Sequence, residues 1–419
     1  LMSSKNILLV VVDGISDRPV GGKTPLDSAS TPNLDFFAKS GINGIMDTIS
    51  PGIRPGSDTS HFALLGYDPF RYYSGRGPIE AAGAGIRIKP GDLAFRVNFG
   101  TVENSKSGGS VFDKVVVDRR AGRISDTDEL VKAISEGLNL EEFGVEFTLK
   151  RGSGHRGALV FRGEGLSDRI TDTDPKKIGE KVRRCKPLDE SDGAKKTAEI
   201  INYFMERSHE ILENHPYNAE REKKGLLKGN VLLLRGAGIV KKIVPFNEKS
   251  GLKLAVIAGT TLIKGIANFV GADLIDVAGA TGNLRTNLEG KLRAAIKALE
   301  THDIVLLHIK ATDELGHDGD FEGKKKFIEH LDDKLALLKE LDFTKTCLIV
   351  TADHSTPVTV KEHTADPVPV TIVYEGVRVD QVERFSEFEA YKGGLCRIRG
   401  MDLLNIALDL IDKSKKFGA

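Results

Sequence analysis

The stretch Thr346–His363, TCLIVTADHSTPVTVKEH, constrains the fold more than any other. Cys347, Leu348, Ile349 and Val350 form a short apolar run with β-branched residues, the signature of a strand buried on both faces. Asp353 and His354 follow at once, and His363 comes nine residues after His354. A carboxylate and an imidazole at the carboxyl end of a buried strand stand where open α/β sheets bind their ligands. An Asp at a strand end can also simply start a turn. The metal-binding alternative gains weight because other stretches repeat the pattern.

Asn6–Val12 (NILLVVV) is a continuous apolar run followed by Asp13-Gly14, and Asp303–Ile309 (DIVLLHI) leads into Asp313 and His317. Asp313 and His317 are four apart, so on a helical turn they share a face and can hold one cation. Pro51–Asp68 (PGIRPGSDTSHFALLGYD) is a glycine-rich turn feeding a helix, with Ser57 at or near its start. Free N–H groups and partial positive charge at a helix start suit a phosphoryl group, although capping alone also explains the serine. If the apolar strands are parallel neighbours, their carboxyl ends converge and these ligands meet. Oxygen and nitrogen donors without cysteine favour Mn²⁺, Mg²⁺, Co²⁺ or Zn²⁺. Two such ions with a hydroxyl between them serve phosphoryl transfer.

Between about Leu93 and Arg235 the texture changes. Ala94–Phe99, Ser110–Val117, Glu146–Lys150 and Gly157–Arg162 read as short strands, with helices near Asp128–Glu136 and Ala194–Leu212. Glu103–Gly109 (ENSKSGG) reads as a hairpin tip. Basic residues cluster in two loops, Arg119, Arg120 and Arg123, then Arg151, His155 and Arg156. Such clusters are commonly solvated surface, but a phosphate or carboxylate cradle needs the same residues. The 419 residues lead us to expect two domains, residues 1–81 with 246–419 and an insert over 82–245.

Sixty basic and sixty acidic residues cancel, so no global field recruits nucleic acid or membrane, and any anion site must be local. The three cysteines are far apart, which indicates neither a disulfide framework nor a thiolate zinc site. No leader pattern precedes Lys5, and Ile7–Val12 is too short to span a bilayer. A cytoplasmic setting is therefore expected.

In order, Asp-Gly after the first strand, Gly-Ser-Asp-x-x-His, Asp-x-x-x-His, Ala-Asp-His and a final His resemble the alkaline phosphatase superfamily. GSDTSHFALLGYDP, YYSGRGPIEAAG, TDTDP (Thr171–Pro175) and TADHSTPV resemble, more narrowly, the archaeal-type cofactor-independent phosphoglycerate mutases. The resemblance implies an α/β fold: an alkaline-phosphatase-like, mainly parallel sheet flanked by helices, with a smaller inserted α/β substrate (lid) domain. It implies interconversion of 3-phosphoglycerate and 2-phosphoglycerate, in glycolysis and gluconeogenesis, through a phosphoserine at a two-metal site. The metals expected are Mn²⁺ first, or Mg²⁺, Co²⁺ or Zn²⁺, with no need for 2,3-bisphosphoglycerate. The partner expected is the small phosphoglycerate substrate, and the protein is expected to be a monomer or small homo-oligomer.

Residue by residue, Asp13, Ser57, Asp353 and His354 match the ligands of one metal, and Asp313, His317 and His363 those of the other. Ser57 matches the serine that is phosphorylated. Its chemical rival Ser60 sits where the bacterial motif (Gly-Asn-Ser-Glu-Val-Gly-His) has glycine. Asp58 takes the place of the acid after the serine, and Gly56 that of the asparagine. Arg235 and Lys264 resemble basic residues that close over substrate in the bacterial branch. That branch's His-Ser-His and Gly-Arg-Asp signatures have no clear counterpart here, so Arg119, Arg120, His155 and Arg156 are cradle candidates by chemistry alone. Another phosphomutase or metal-dependent phosphatase of the superfamily is the alternative activity, and a non-catalytic phosphometabolite sensor the remote one.

Overall fold

Every residue of Asn6–Val12 is buried, which a strand achieves only when both faces of its sheet are covered. The computed structural model describes residues 5–103 and 109–418. In chain order its strands are β1 (Asn6–Val12), β2 (Ile42–Asp47), β3 (Leu93–Glu103), β4 (Val115–Asp118), β5 (Val145–Arg151), β6 (Arg156–Gly163), β7 (Val231–Ile239), β8 (Leu254–Ile257), β9 (Asp273–Leu274), β10 (Ile304–Ile309), β11 (Thr346–Thr351), β12 (Val368–Val373) and β13 (Cys396–Arg399).

Eight strands form one sheet in the order β13-β2-β12-β11-β1-β10-β8-β9. Strand β1 lies between β10 and β11 and is parallel to both, and β8 continues the parallel set beyond β10. Only the pairings of β12, with β11 and β2, are antiparallel. The carboxyl ends of β1, β10 and β11 are thus brought side by side, in register Val12↔Ile309 and Val11↔Thr351. The amphipathic helices Pro32–Ser40, Leu288–Ala298 and Phe321–Leu335 bury Phe37, Leu292 and Leu331 in this unit. Strand β2 (INGIMD) escapes a pattern reading because asparagine and glycine interrupt its apolar residues.

The chain divides into Leu1–Tyr73 with Ile243–Ala419, and an inserted unit, Ser74–Lys242. The boundaries differ from 81/82 and 245/246, the first for a physical reason. Helix Arg76–Gly83 packs on β3 and β7, so closely that a Cβ on Gly77 would lie 2.2 Å from the Ala94 carbonyl oxygen. Strand β7 also runs past Arg235. Gly236, at φ +67°, belongs to a register shift opposite Ala94 and Arg96, after which pairing resumes at Ala94↔Gly238 and Leu93↔Ile239.

The insert is an antiparallel sheet, β4-β3-β6-β5, with β7 also on β3. Phe95, Phe99, Phe161 and Phe204 sit in its core, the last from the long helix Asp192–Glu213. The stretch read as one strand over Ser110–Val117 is a 3₁₀ turn, Val111–Asp113, followed by β4. Of the expected hairpin tip, 104–108 lie outside the described residues. No helix among the described residues is long and apolar enough to cross a membrane.

Candidate metal centre

Asp13 follows β1, Lys310 follows β10, and Asp353-His354 follow β11, so strand topology alone delivers these side chains to one edge of the sheet. The turn after β1 needs Gly14. Its φ is +67°, and a Cβ there would lie 2.6 Å from Thr356 Oγ1 and 2.8 Å from the Asp313 Cα. Ser57 is the first residue of helix Ser57–Leu64, with Gly56 rather than Ser57 in the capping position.

Around His354 Nε2 stand three oxygens, Ser57 Oγ at 3.0 Å and Asp13 Oδ1 and Asp353 Oδ2 at 3.3 Å each. All four residues are buried. Asp13 Oδ1 and Asp353 Oδ2 have no hydrogen-bond partner among the described residues. The second set centres on Asp313 Oδ1, with His317 Nε2 at 3.4 Å and His363 Nε2 at 3.3 Å. The structure therefore places the seven candidate ligands near one another; Asp313, His317 and His363 form one close group, while Asp13 and His354 also group with Asp313, and Asp353 with His61 and His308.

The outer nitrogens fix the tautomers of all three imidazoles. His317 Nδ1 donates to the Lys361 carbonyl and His363 Nδ1 to the Pro55 carbonyl, each at 2.9 Å. Thr356 Oγ1 donates to Asp313 Oδ1 at 2.6 Å, so at 3.1 Å it accepts from His354 Nδ1. Each Nε2 then presents a lone pair to a carboxylate oxygen, a repulsive arrangement unless a proton or a cation lies between. With protons as the only cations, burial opposes the charge on His354, but Asp353 and Asp13 push it up to about 9. The Asp313 hydrogen bond likewise raises His317 to about 9. Burial and the Asp13 charge raise Asp353, whereas Asp13 and Asp313 are held low against their burial, Asp13 chiefly by Lys310 and Asp313 chiefly by its two histidines. Unpartnered carboxylate oxygens facing oriented imidazole lone pairs are the donor set a divalent cation takes, with carbonyls orienting the rings from behind. The residues fit two such ions.

Sequence reasoning missed three neighbours of this centre. Lys310 bonds Asp13 Oδ2 at 3.2 Å and also pairs with Asp313 Oδ2. His308 Nε2 donates to Asp13 Oδ2 at 2.8 Å, and it was hidden because it sits inside an apolar run. His61 donates from Nδ1 to the Ser57 carbonyl at 2.6 Å, and burial pushes it down to about 4. Ser60, the rival nucleophile, is engaged in structure: its hydroxyl donates to the Asp353 carbonyl at 2.8 Å. Lys264 is paired with Asp276 at 2.8 Å and belongs to neither ligand set.

In the inserted unit, Asp174 of the TDTDP stretch is fully buried and accepts two hydrogen bonds from Arg119, at 3.1 and 2.6 Å. Arg235 Nε lies 3.9 Å from the same carboxylate and is buried without a hydrogen-bond partner among the described residues. Arg96, opposite Arg235 across β3 and β7, is lowered to about 10 by burial and by Arg76, Arg235 and Arg156. His155 is lowered by burial and by Arg156, Arg120 and Arg235. The insert thus gathers Arg120, His155, Arg156 and Arg235, adds Arg76 and Arg96, and holds Arg119 on Asp174. Arg151 stands apart, paired with Asp126 and Asp128.

The chain is similar to known proteins over nearly its whole length. The profile of the family described as 2,3-bisphosphoglycerate-independent phosphoglycerate mutase matches residues 38–218. A 2,3-bisphosphoglycerate-independent phosphoglycerate mutase of Archaeoglobus fulgidus is 70% identical over 413 residues, covering 99% of this chain and 100% of the relative. The solved cofactor-independent phosphoglycerate mutase of Thermoplasma acidophilum superposes with a TM-score of 0.73 at 39% identity, covering 97% of this chain and 100% of that one. A solved Pyrococcus horikoshii protein gives 0.84 at 38% identity, covering 99% and 100%.

Proposed function

Because this chain belongs to the 2,3-bisphosphoglycerate-independent phosphoglycerate mutases, we propose that Ser57 carries the phosphoryl group between the two hydroxyls of glycerate, with a divalent ion held by each ligand set. The observation that carries this reading is Ser57 Oγ, 3.0 Å from His354 Nε2 and beside two buried carboxylate oxygens that lack hydrogen-bond partners among the described residues. Asp13, Ser57, Asp353 and His354 would hold one ion and Asp313, His317 and His363 the other. Mn²⁺, Mg²⁺, Co²⁺ or Zn²⁺ suits these oxygen and nitrogen donors, Mn²⁺ being our first choice. Bound there, the ions would neutralise charge that develops on the transferring phosphoryl group.

The remaining steps fall to the chain's own residues. Ser57 Oγ gives up its proton and forms a bond to phosphorus as the bond to the glycerate oxygen breaks, and that oxygen takes up a proton to become a hydroxyl. Glycerate turns, its other hydroxyl takes the group back, and the serine hydroxyl is restored. Water must be kept from the phosphoserine, since hydrolysis would make the enzyme a phosphatase. We assign the grip on the substrate's anionic groups to the inserted unit. Arg96 and Arg235 are lowered there first by burial and then by neighbouring guanidinium groups, Arg76 acting on both, with Glu80 an acid paired to Arg76 and Arg96. A substrate carboxylate or phosphate supplies the negative charge this group is short of.

Incubation of Mn²⁺-loaded protein with 3-phosphoglycerate, without added 2,3-bisphosphoglycerate and followed by ³¹P NMR, separates the readings. Appearance of 2-phosphoglycerate supports the mutase. Net release of inorganic phosphate makes the protein a phosphatase, and binding without turnover makes it a sensor.

A further inference from the structure

The ligand sets have a common neighbour that belongs to neither. Lys310 Nζ contacts Oδ2 of Asp13 at 3.2 Å and Oδ2 of Asp313. In both carboxylates the other oxygen, Oδ1, faces the imidazole nitrogens of its own set, His354 for Asp13 and His317 and His363 for Asp313. One ammonium thus takes the outer oxygen of the leading carboxylate of each set and leaves the inner oxygens facing the imidazoles, Asp313 Oδ1 also accepting from Thr356 Oγ1. His308 joins it on Asp13 Oδ2. The ammonium is mostly shielded, with 21% of the side chain exposed, so bulk water screens these contacts weakly.

We propose that Lys310 is a permanently built-in third cation of the metal centre, a positioning residue that fixes the spacing of the two sites and sets their net charge. The proposal rests on the two-metal reading for its consequence but not for its geometry. Three carboxylates, Asp13, Asp313 and Asp353, against one ammonium leave two negative charges when the imidazoles are neutral. Two divalent ions turn this into two positive charges, which matches a phosphomonoester dianion. Without Lys310 the loaded centre is one charge short of that match. The metal-free centre, in turn, would crowd three buried carboxylates with no fixed counter-charge but the protons they recruit.

The test is Lys310→Met in the full chain, with Lys310→Arg to restore charge alone. Metal-free Lys310→Met is expected to melt about 5 °C or more below the wild type, and the gap is expected to narrow when Mn²⁺ is added. At two metal equivalents per chain by elemental analysis, its affinity for inorganic phosphate is expected to fall about tenfold, and Lys310→Arg to recover part of that loss. A side chain that merely fills space would move the melting point but not phosphate affinity. Unchanged metal-free melting together with unchanged phosphate affinity overturns the proposal. If Lys310→Met does not fold, the wild type still decides by ¹⁵N NMR. A slowly exchanging lysine ammonium present in both metal-free and Zn²⁺-loaded protein supports the proposal, and its loss on loading overturns it. Fewer than two metal equivalents in the wild type would count against the two-metal reading, while the metal-free comparison would still judge Lys310.

Discussion

His354 and His363 lie face to face, their ring centroids 3.5 Å apart and their planes 20° from parallel, although they serve different ligand sets. Thr356 Oγ1 adds a second link, bonding His354 Nδ1 and Asp313 Oδ1 together. Displacement of one ring therefore disturbs the other, and the two sets behave as one packed object.

Such coupling bears on metal loading. Asp353→Asn and His317→Ala are each expected to lose a different equivalent by elemental analysis, and each to loosen the remaining one. Chelation is expected to abolish turnover without unfolding, because β1, β10 and β11 are anchored in the sheet independently of any ion. Fully active protein with a single metal per chain would refute the assignment of two sites.

Ser57 and Ser60 differ in what their hydroxyls already do. Ser57→Ala is expected to eliminate mutase turnover while circular dichroism and melting stay near wild type. Ser60→Ala is expected to keep most activity but to lose about 1 kcal/mol of stability with its bond to the Asp353 carbonyl. The reverse pattern, an active Ser57→Ala and a dead Ser60→Ala, would put the nucleophile one helical turn away.

For the arginine group, charge-assisted contacts are each worth about 1.5–3 kcal/mol. Arg120→Ala and Arg156→Ala are therefore expected to lower mutase activity about ten- to a hundredfold, with a larger share of phosphoryl groups lost to water. Asp174→Asn is expected to act in the same direction by releasing Arg119. Wild-type rates with no extra phosphate release in Arg120→Ala and Arg156→Ala would make these two arginines simple surface.

A pH effect is expected away from the metal centre. The Glu387 carboxyl accepts from Thr24 Oγ1 at 2.8 Å and from the Asp17 N–H at 3.0 Å, and burial pushes it up to about 7. The folded protein then holds a proton that the unfolded chain has lost above its ordinary value near 4.5. Folding is favoured by this group below that value, and the contribution is lost as pH rises through about 7. Melting points measured from pH 4.5 to 8 should show a shallower decline in Glu387→Gln than in the wild type; parallel curves would mean that Glu387 does not titrate this way.

Much of the centre was legible because its acids end apolar runs. Asp13 and Asp353 stand at the ends of short apolar, β-branched runs of strand length, and Asp313 with His317 carries helical spacing. His308 was illegible for the opposite reason: inside an apolar run, nothing in sequence distinguishes a packed histidine from one that bonds Asp13. Lys310 lies among charged residues and acquires its partners only when β10 is laid beside β1. Arg96 joins Arg235 through cross-strand register, which a bulge at Gly236 shifts and which no local pattern encodes.

The pairing of β1 has a consequence for how the chain is made. Both of its neighbours, β10 and β11, come after the insert. A ribosome adding about 5–20 residues per second releases β1 on the order of ten seconds or more before either partner exists. The insert, whose sheet is contiguous in sequence, can fold while the first 73 residues wait. During that interval β1 is an apolar segment with no partner on either edge, open to association with other chains.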